Sequence, residues 1–336
     1  MLRKASLVSL SGPLIWLGMV QAVIYLLFIR AIDLYEREPL RYVIPVFIWG
    51  FAVATTVSLV FNTLFQLTLS SVTSMKTASF FTAVVEAPVV EECSKGAALL
   101  LVFFIAYLTR RRSGLVEFAG VMDGIVYGSA VGFGFAIAED LLYGLQFGPE
   151  TYIVRRIFGG FAHASFTSLT GIGIGLVPWV HNRVLKLILP VLGLSGAIFL
   201  HSAFNFTATV FGPVGYLVLF CVILAYIVII IVWLTIERRA IREELRDEVS
   251  EGTITSQEYA ILPSYFRTTG YYLKLIFTGR LLTWFGARKL HATAVDLALA
   301  KRLARRTGSP GSTDRVRMLR RKILGLREGA TVRAVS

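Results

Sequence analysis

The chain has 336 residues, 55% of them hydrophobic and only 16% charged, with a mean hydropathy of +0.69. Such a composition excludes an ordinary water-soluble domain and makes the bilayer the first solvent to consider. The formal charge of +13 is unevenly placed: from Glu237 onward 20 Lys and Arg stand against 10 Asp and Glu, so the first 236 residues are nearly neutral.

A helix that crosses the hydrocarbon needs about 20 apolar residues. Runs of that kind lie near residues 8–29, 42–69, 80–108, 118–142, 157–180, 187–207 and 214–236. They are continuous rather than alternating, and only helices and closed barrels satisfy their backbone in lipid. The expected class is therefore all-α, a transmembrane helix bundle of about seven or eight spans. Met1 to Lys4 and the apolar run behind them lack a small-residue cleavage site and read as a span. Cys93 and Cys221 sit in apolar runs, which gives neither a disulfide framework nor a zinc knuckle.

Cytoplasmic loops carry excess Lys and Arg. Arg110 to Arg112, Arg183 with Lys186, and Arg238 with Arg239 all fall inside if successive spans form hairpins; Arg155 and Arg156 then lie outside. The N-terminus is outside with seven spans, or inside if residues 71–90 make an extra crossing or re-entrant segment. The division expected is a membrane domain over 1–236 and a basic cytoplasmic tail over 237–336. In the tail, Glu237 to Ser250 has a helical pattern, Thr255 with Glu258 forms a capping box, and Leu281 to Arg306 reads as an amphipathic helix. A solvated basic tail with that single amphipathic helix is the expectation, with Gly308 to Thr313 as a flexible break. No nucleic-acid partner is expected; membrane lipids are the expected surroundings.

An ionisable side chain within a span costs at least about 2.5 kcal/mol on insertion scales and calls for a function. The third run carries Glu86, Glu91, Glu92 and Lys95; the fourth ends in Glu139 and Asp140; the fifth holds His163; the sixth holds His201 and Asn205. Successive spans run in opposite directions, so an early residue of one and a late residue of the next lie at the same face. Glu91 and Glu92 are early, Glu139 late, His163 early and His201 late, which gathers them at the non-cytoplasmic face. On the helix Glu91 is four residues from Lys95, so one glutamate can be held by the lysine while the other stays free. His201 and Asn205, also four apart, project into the same space.

Peptide hydrolysis needs an activated water, a stabiliser for the oxyanion and a proton for the leaving amine. A glutamate, a histidine and an amide supply all three. A zinc held by His163, His201 and Glu92, with one position open, is the other arrangement these residues permit, although no HExxH motif is present.

Several segments resemble the PrsW family of intramembrane peptidases. Ile32 to Pro39 reads IDLYEREP, similar to the family's D-x-x-E-x-E-P; Glu91 to Lys95 reads EECSK, like E-E-x-x-K. Met122 to Tyr143 contains DGIVYG followed by Glu139; His163 opens HASFTSLTG and His201 opens HSAFN. The resemblance implies a bacterial, multi-pass cell-membrane peptidase that cleaves a membrane-anchored protein near the extracytoplasmic surface, of the kind that releases an anti-sigma factor. It implies Glu91 and Glu92 as the water-activating pair, Glu139 and His163 as second members of the site, and His201 as the late histidine, with Asn205 beside it. Asp140 stands where some relatives have Asn.

Bland readings exist for each residue. Glu91 or Glu92 with Lys95 forms a buried salt bridge, His201 with Asn205 gives interhelical hydrogen bonds, and Glu139 anchors a span end. Asp33, Glu36 and Glu38 bond a turn before Pro39, and Glu86 near Pro88 marks a bent entry to the third span. Gly128, Gly132, Gly134, Gly171, Gly173 and Gly175 serve close helix packing. The rival functions are a proton-coupled transporter, which requires polar groups at the midplane and an inverted repeat, and a non-enzymatic membrane scaffold acting through its tail.

Overall fold

The computed structural model describes residues 2–35, 37–113, 118, 120–159, 161–308 and 310–335; Glu36 therefore lies outside the described residues. The chain is all-α and falls into two compact units. The first takes Met1–Ile32, Glu38–Arg111 and Val116–Ile230; the second takes Asp33–Arg37, Arg112–Leu115 and Ile231–Ser336.

In the first unit, α1 (Leu2–Ile32) is followed by α2 (Leu40–Ile48), which passes through a π-helical turn at Trp49–Ala54 into α3 (Thr55–Ser70). Ser74 then caps α4 (Met75–Phe81), its hydroxyl accepting from the Thr77 amide at 3.1 Å. A second π-helical turn, Thr82–Glu86, leads into α5 (Ala87–Ser113). Pro88 has no amide hydrogen to donate back into this region, and a one-residue bulge is a usual way for a helix to absorb such a fault. After α6 (Val121–Phe147) come α7 (Pro149–Gly159) and α8 (Ala162–Gly175), then α9 (Arg183–Phe211) and α10 (Gly215–Glu244). Asn182 starts α9 by accepting from the Val184 amide at 2.8 Å.

Among the described residues, four helical stretches are long and apolar enough to cross a bilayer: Gly12–Ile32, Leu40–Ser70, Val121–Phe147 and Arg183–Ser250, the last containing both α9 and α10. The protein is thus a membrane protein with several spans. The run at 157–180 does not form the single helix expected from its hydropathy: α7 ends at Gly159 and α8, with 14 residues, ends at Gly175, a length of about 21 Å at 1.5 Å per residue. Glycines near both ends and Pro178 in the following 3₁₀ turn break it. In α5, Glu91, Glu92 and Lys95 interrupt the apolar run within the first three turns.

The apolar window of α6 is wholly buried, enclosed by α1, α2, the first π turn and α8. Small residues permit this. A Cβ on Gly124 would lie 2.1 Å from the Gly171 carbonyl oxygen, and one on Gly132 would lie 2.6 Å from the backbone of His163 and Ala164. The α6–α8 contact is therefore backbone against backbone, which fixes the height and rotation of His163. Tyr25 of α1 stacks on Phe133 of α6 with centroids 3.9 Å apart. Outward faces keep Trp16, Phe61, Leu187, Phe199, Leu217 and Phe220 exposed, an apolar surface suited to lipid rather than water.

The second unit corrects the expectation of a solvated tail. It contains α11 (Arg246–Ser250), α12 (Ser256–Ile261), α13 (Tyr265–Phe277), α14 (Leu281–Thr307) and α15 (Pro310–Val335). These bury a core that includes Ile241, Leu245, Leu262, Leu297, Leu319 and Ile323. The Thr255 capping box is present, with Glu258 bonding back to the Thr255 amide at 2.7 Å. Gly308, at φ 57°, ends α14 in the left-handed region, and helix resumes at Pro310, so the expected break over 308–313 is much shorter. Apolar residues at helical spacing in α15 find partners on α14, and their burial overrides the loop-forming composition of Gly308 to Thr313. Cys93 and Cys221 are free thiols.

Candidate active site

Four helices contribute to one buried cluster. On α5, Glu91, Glu92 and Lys95 occupy positions i, i+1 and i+4, so the lysine reaches both carboxylates. Its Nζ donates to Glu91 Oε2 at 3.2 Å and to Glu92 Oε1 at 2.9 Å. This differs from the expected division in which one glutamate is paired and the other free. The same ammonium lies 3.0 Å from His163 Nδ1 on α8 and 3.8 Å from the centre of the Phe135 ring on α6. Lys95 and Glu92 are completely buried and Glu91 is 5% exposed.

Each histidine is held by a carboxylate through one ring nitrogen. His163 Nε2 lies 2.8 Å from Glu139 Oε2, and His201 Nδ1 on α9 lies 3.1 Å from Glu92 Oε1. The remaining nitrogens, His163 Nδ1 and His201 Nε2, each lie 3.9 Å from Glu91 Oε2. Phe166 stacks on the His201 ring at 5.0 Å and 18°, while Phe135 meets His163 edge-on at 5.0 Å. A hydrogen bond on one nitrogen and an aromatic ring beside the imidazole fix orientation; the second nitrogen of His163 then meets Lys95, and that of His201 faces Glu91.

Glu92 is saturated. Besides Lys95 and His201 on Oε1, its Oε2 accepts from Thr167 Oγ1 at 2.8 Å. Among the described residues, hydrogen bonds reach the Glu91 side chain only from Lys95. Thr167 was not singled out from sequence, although it stands four residues after His163 on the same helix face, the one signal that could have marked it. Arg155, which the charge pattern marks only as a residue outside, donates to Glu139 and, at 2.8 Å, to Asp140 Oδ1, while Arg156 pairs with Asp140. Glu139 and Arg155, with side chains 20% and 27% exposed, mark the accessible edge of the cluster. Counted together, Glu91, Glu92, Glu139 and Asp140 face Lys95, Arg155 and Arg156. One negative charge is left for a proton on an imidazole or for an added cation to offset.

Other expected residues lie elsewhere. Asn205 spends its amide on the Ala83 carbonyl at 2.8 Å, in the π turn before α5, because residues four apart on a helix share a face but not a depth. Glu38 is buried and accepts from the Tyr127 hydroxyl of α6. Asp140 is buried against arginine.

The donor atoms of Glu91, His163 and His201 lie within 4.8 Å of one another. Two imidazoles and a carboxylate are a donor set of catalytic zinc sites, and the carboxylates behind both histidines match the outer support such ligands have. The set differs from the expected one by having Glu91 in place of Glu92. Glu92 is turned away by Thr167 and sits behind His201.

Comparison with known proteins agrees with this geometry. Residues 38–234 match the family described as PrsW family intramembrane metalloprotease. The chain is 32% identical over 162 residues to Protease PrsW of Geobacillus kaustophilus (strain HTA426), covering 48% of this chain and 65% of that relative. To Protease PrsW of Bacillus subtilis (strain 168) it is 26% identical over 198 residues, covering 57% of this chain and 81% of the relative. Protease PrsW of Shouchella clausii (strain KSM-K16) is 31% identical over 118 residues, 35% of this chain and 51% of its own length. The chain thus spans less than two thirds of two of these three relatives. No solved structure matches. A buried glutamate–histidine cluster carried on helices and a family match over more than half the chain lead to one conclusion: this chain belongs to the PrsW family of intramembrane metalloproteases.

Proposed function

We propose that this chain is an endopeptidase that hydrolyses a peptide bond of a membrane-anchored protein near the extracytoplasmic face of a bacterial cell membrane. In this reading Glu91, Glu139, His163 and His201 lie at that face of a bundle of seven or eight crossings, with the basic C-terminal unit in the cytoplasm. An anti-sigma factor held by a single span is the kind of substrate the family resemblance suggests. The observation that carries the reading is Glu91 itself: a buried carboxylate with one hydrogen-bonding partner, 3.9 Å from a ring nitrogen of each of two oriented imidazoles.

In this mechanism Glu91 takes the proton of the attacking water. His163, oriented through Nε2 by Glu139, and His201, oriented through Nδ1 by Glu92, turn their other nitrogens toward Glu91, with that of His163 also meeting Lys95. Glu91 then passes that proton to the leaving amine, while His201 Nε2, whose partner nitrogen carries its proton toward Glu92, accepts from and orients the attacking water. Glu92 acts as a positioning group, since Lys95, His201 and Thr167 already occupy both of its oxygens. Asn205 supports the π turn before α5. Glu91, His163 and His201 would hold a divalent ion; such an ion, when bound, lowers the pKa of a ligated water and polarises a carbonyl. Helices α8, α9 and α10 also surround an apolar cavity of about 450 Å³, lined by Ser165, Leu169, Leu200, Cys221 and Tyr226 among others, which is suited to an apolar stretch of such a substrate.

The test is co-expression of the wild type and of Glu91→Gln, Glu92→Gln and His201→Ala with single-span candidate substrates. Fragments from the wild type alone support the assignment; equal cleavage by all three variants removes it.

A further inference from the structure

Lys95 contacts two of the three groups that would hold a divalent ion. Its Nζ lies 3.2 Å from Glu91 Oε2 and 3.0 Å from His163 Nδ1, two of the three donors that could hold a metal. A lone pair on a carboxylate oxygen or an imidazole nitrogen cannot serve both an N–H donor and a metal in the same direction. Two cations in a buried pocket also repel strongly, since little water screens them. The ammonium and the ion are therefore alternative occupants of one position.

We infer that Lys95 is a built-in competitor for the metal, which makes occupation of this site conditional on the lysine withdrawing. The route of withdrawal is already laid down by two contacts outside the donor set: Glu92 Oε1 at 2.9 Å and the Phe135 ring at 3.8 Å. By keeping these and releasing Glu91 and His163, the lysine stays paired with a carboxylate and an aromatic face, so its charge is never buried alone. When no ion is bound, the same ammonium offsets Glu91 and Glu92 and removes the need for metal in folding. Most structural zinc sites lack this arrangement, and their folding depends on the ion.

The inference concerns the same site as the proposed peptidase reaction but is tested by binding, without reading cleavage. The full-length chain is purified in detergent and titrated with Co²⁺ as wild type, Lys95→Met and Lys95→Arg, following the visible ligand-field absorption and bound metal per chain. Lys95→Met is expected to bind at least tenfold more tightly than the wild type and to gain thermal stability on adding the ion. Lys95→Arg, whose guanidinium is bulkier and always charged, is expected to bind more weakly than wild type. If removing the ammonium leaves Glu91 and Glu92 too repulsive for folding, Lys95→Gln carries the same expectation as Lys95→Met with a neutral hydrogen-bonding side chain. Equal affinity in the wild type and the neutral variants, or no binding in any of them, overturns the inference. Neither result bears on whether Glu91 supports cleavage.

Discussion

Each of the two units contains a cluster of buried charges, and the clusters differ in what their carboxylates face. In the second unit, Glu248 is fully buried and accepts from Lys301 at 2.7 Å and from Arg320 at 2.6 Å, while Lys301 also reaches Asp247 at 2.8 Å. Carboxylate oxygens of Asp247, Glu248 and Glu251 come as close together as the donors in the first unit, yet fixed cations from α14 and α15 occupy them. In the first unit the partners include two imidazoles, each held by a carboxylate at one nitrogen, and a glutamate with a single hydrogen bond. A cluster of carboxylates and permanent cations can hold helices together; one that includes oriented imidazoles can also move protons. This distinction sets the expected cost of breaking each.

The largest expected effect is on chemistry. Glu91→Gln keeps the side-chain shape but removes the base, and should lower the cleavage rate by about 10²- to 10⁴-fold with little change in thermal unfolding. Gly132→Val should come next, since a side chain there meets the backbone of His163 and Ala164. Overpacking of this kind costs about 1–3 kcal/mol, and because it displaces His163 it should impair both cleavage and thermal stability of the purified chain. In the second unit the pattern reverses. Glu248→Gln strips the charged partner from Lys301 and Arg320 and should cost about 1–3 kcal/mol, read as a lower unfolding midpoint, while cleavage by the folded fraction is unaffected.

The smallest effect is a pH dependence. His291 of α14 is buried, with its Nδ1 3.0 Å from the Tyr272 hydroxyl. Burial pushes its pKa below the usual 6.5, and Arg327 adds to this against the opposing pull of Glu258. The unfolded chain then binds the proton more readily than the folded one, so this histidine's contribution to stability is complete above pH 6.5 and is lost as pH falls below it. Unfolding midpoints at pH 7.5 and 5.5 should differ more in the wild type than in His291→Phe. Equal differences would show that other groups set the acid sensitivity of this unit.

Much of the site was legible because buried charge is expensive in a span. Glu91, Glu92, Lys95, Glu139, His163 and His201 could be picked out against their apolar surroundings, and alternating span direction put them together. Hydropathy could not convey depth or hydrogen-bond direction. That is why Asn205, although on the face of His201, bonds Ala83, and why Lys95 bridges both glutamates. Thr167 looked like an ordinary small residue of a span, and its role depends on Glu92 arriving from another helix. In the fold, the break between α7 and α8 and the early end of α8 were missed because a window of mean hydropathy averages over Gly159 and Pro178. The second unit was taken for a solvated tail because its apolar residues are diluted by arginine; only their spacing on α14 and α15, meeting across the pair, makes a core.

The most direct measurement uses purified full-length protein in lipid vesicles with a single-span peptide substrate in H₂¹⁸O. Mass spectrometry of the new C-terminus should show one ¹⁸O incorporated by the wild type and no product above background from Glu91→Gln. Cleavage by Glu91→Gln at the wild-type rate would contradict the assignment of this carboxylate as the group that activates water.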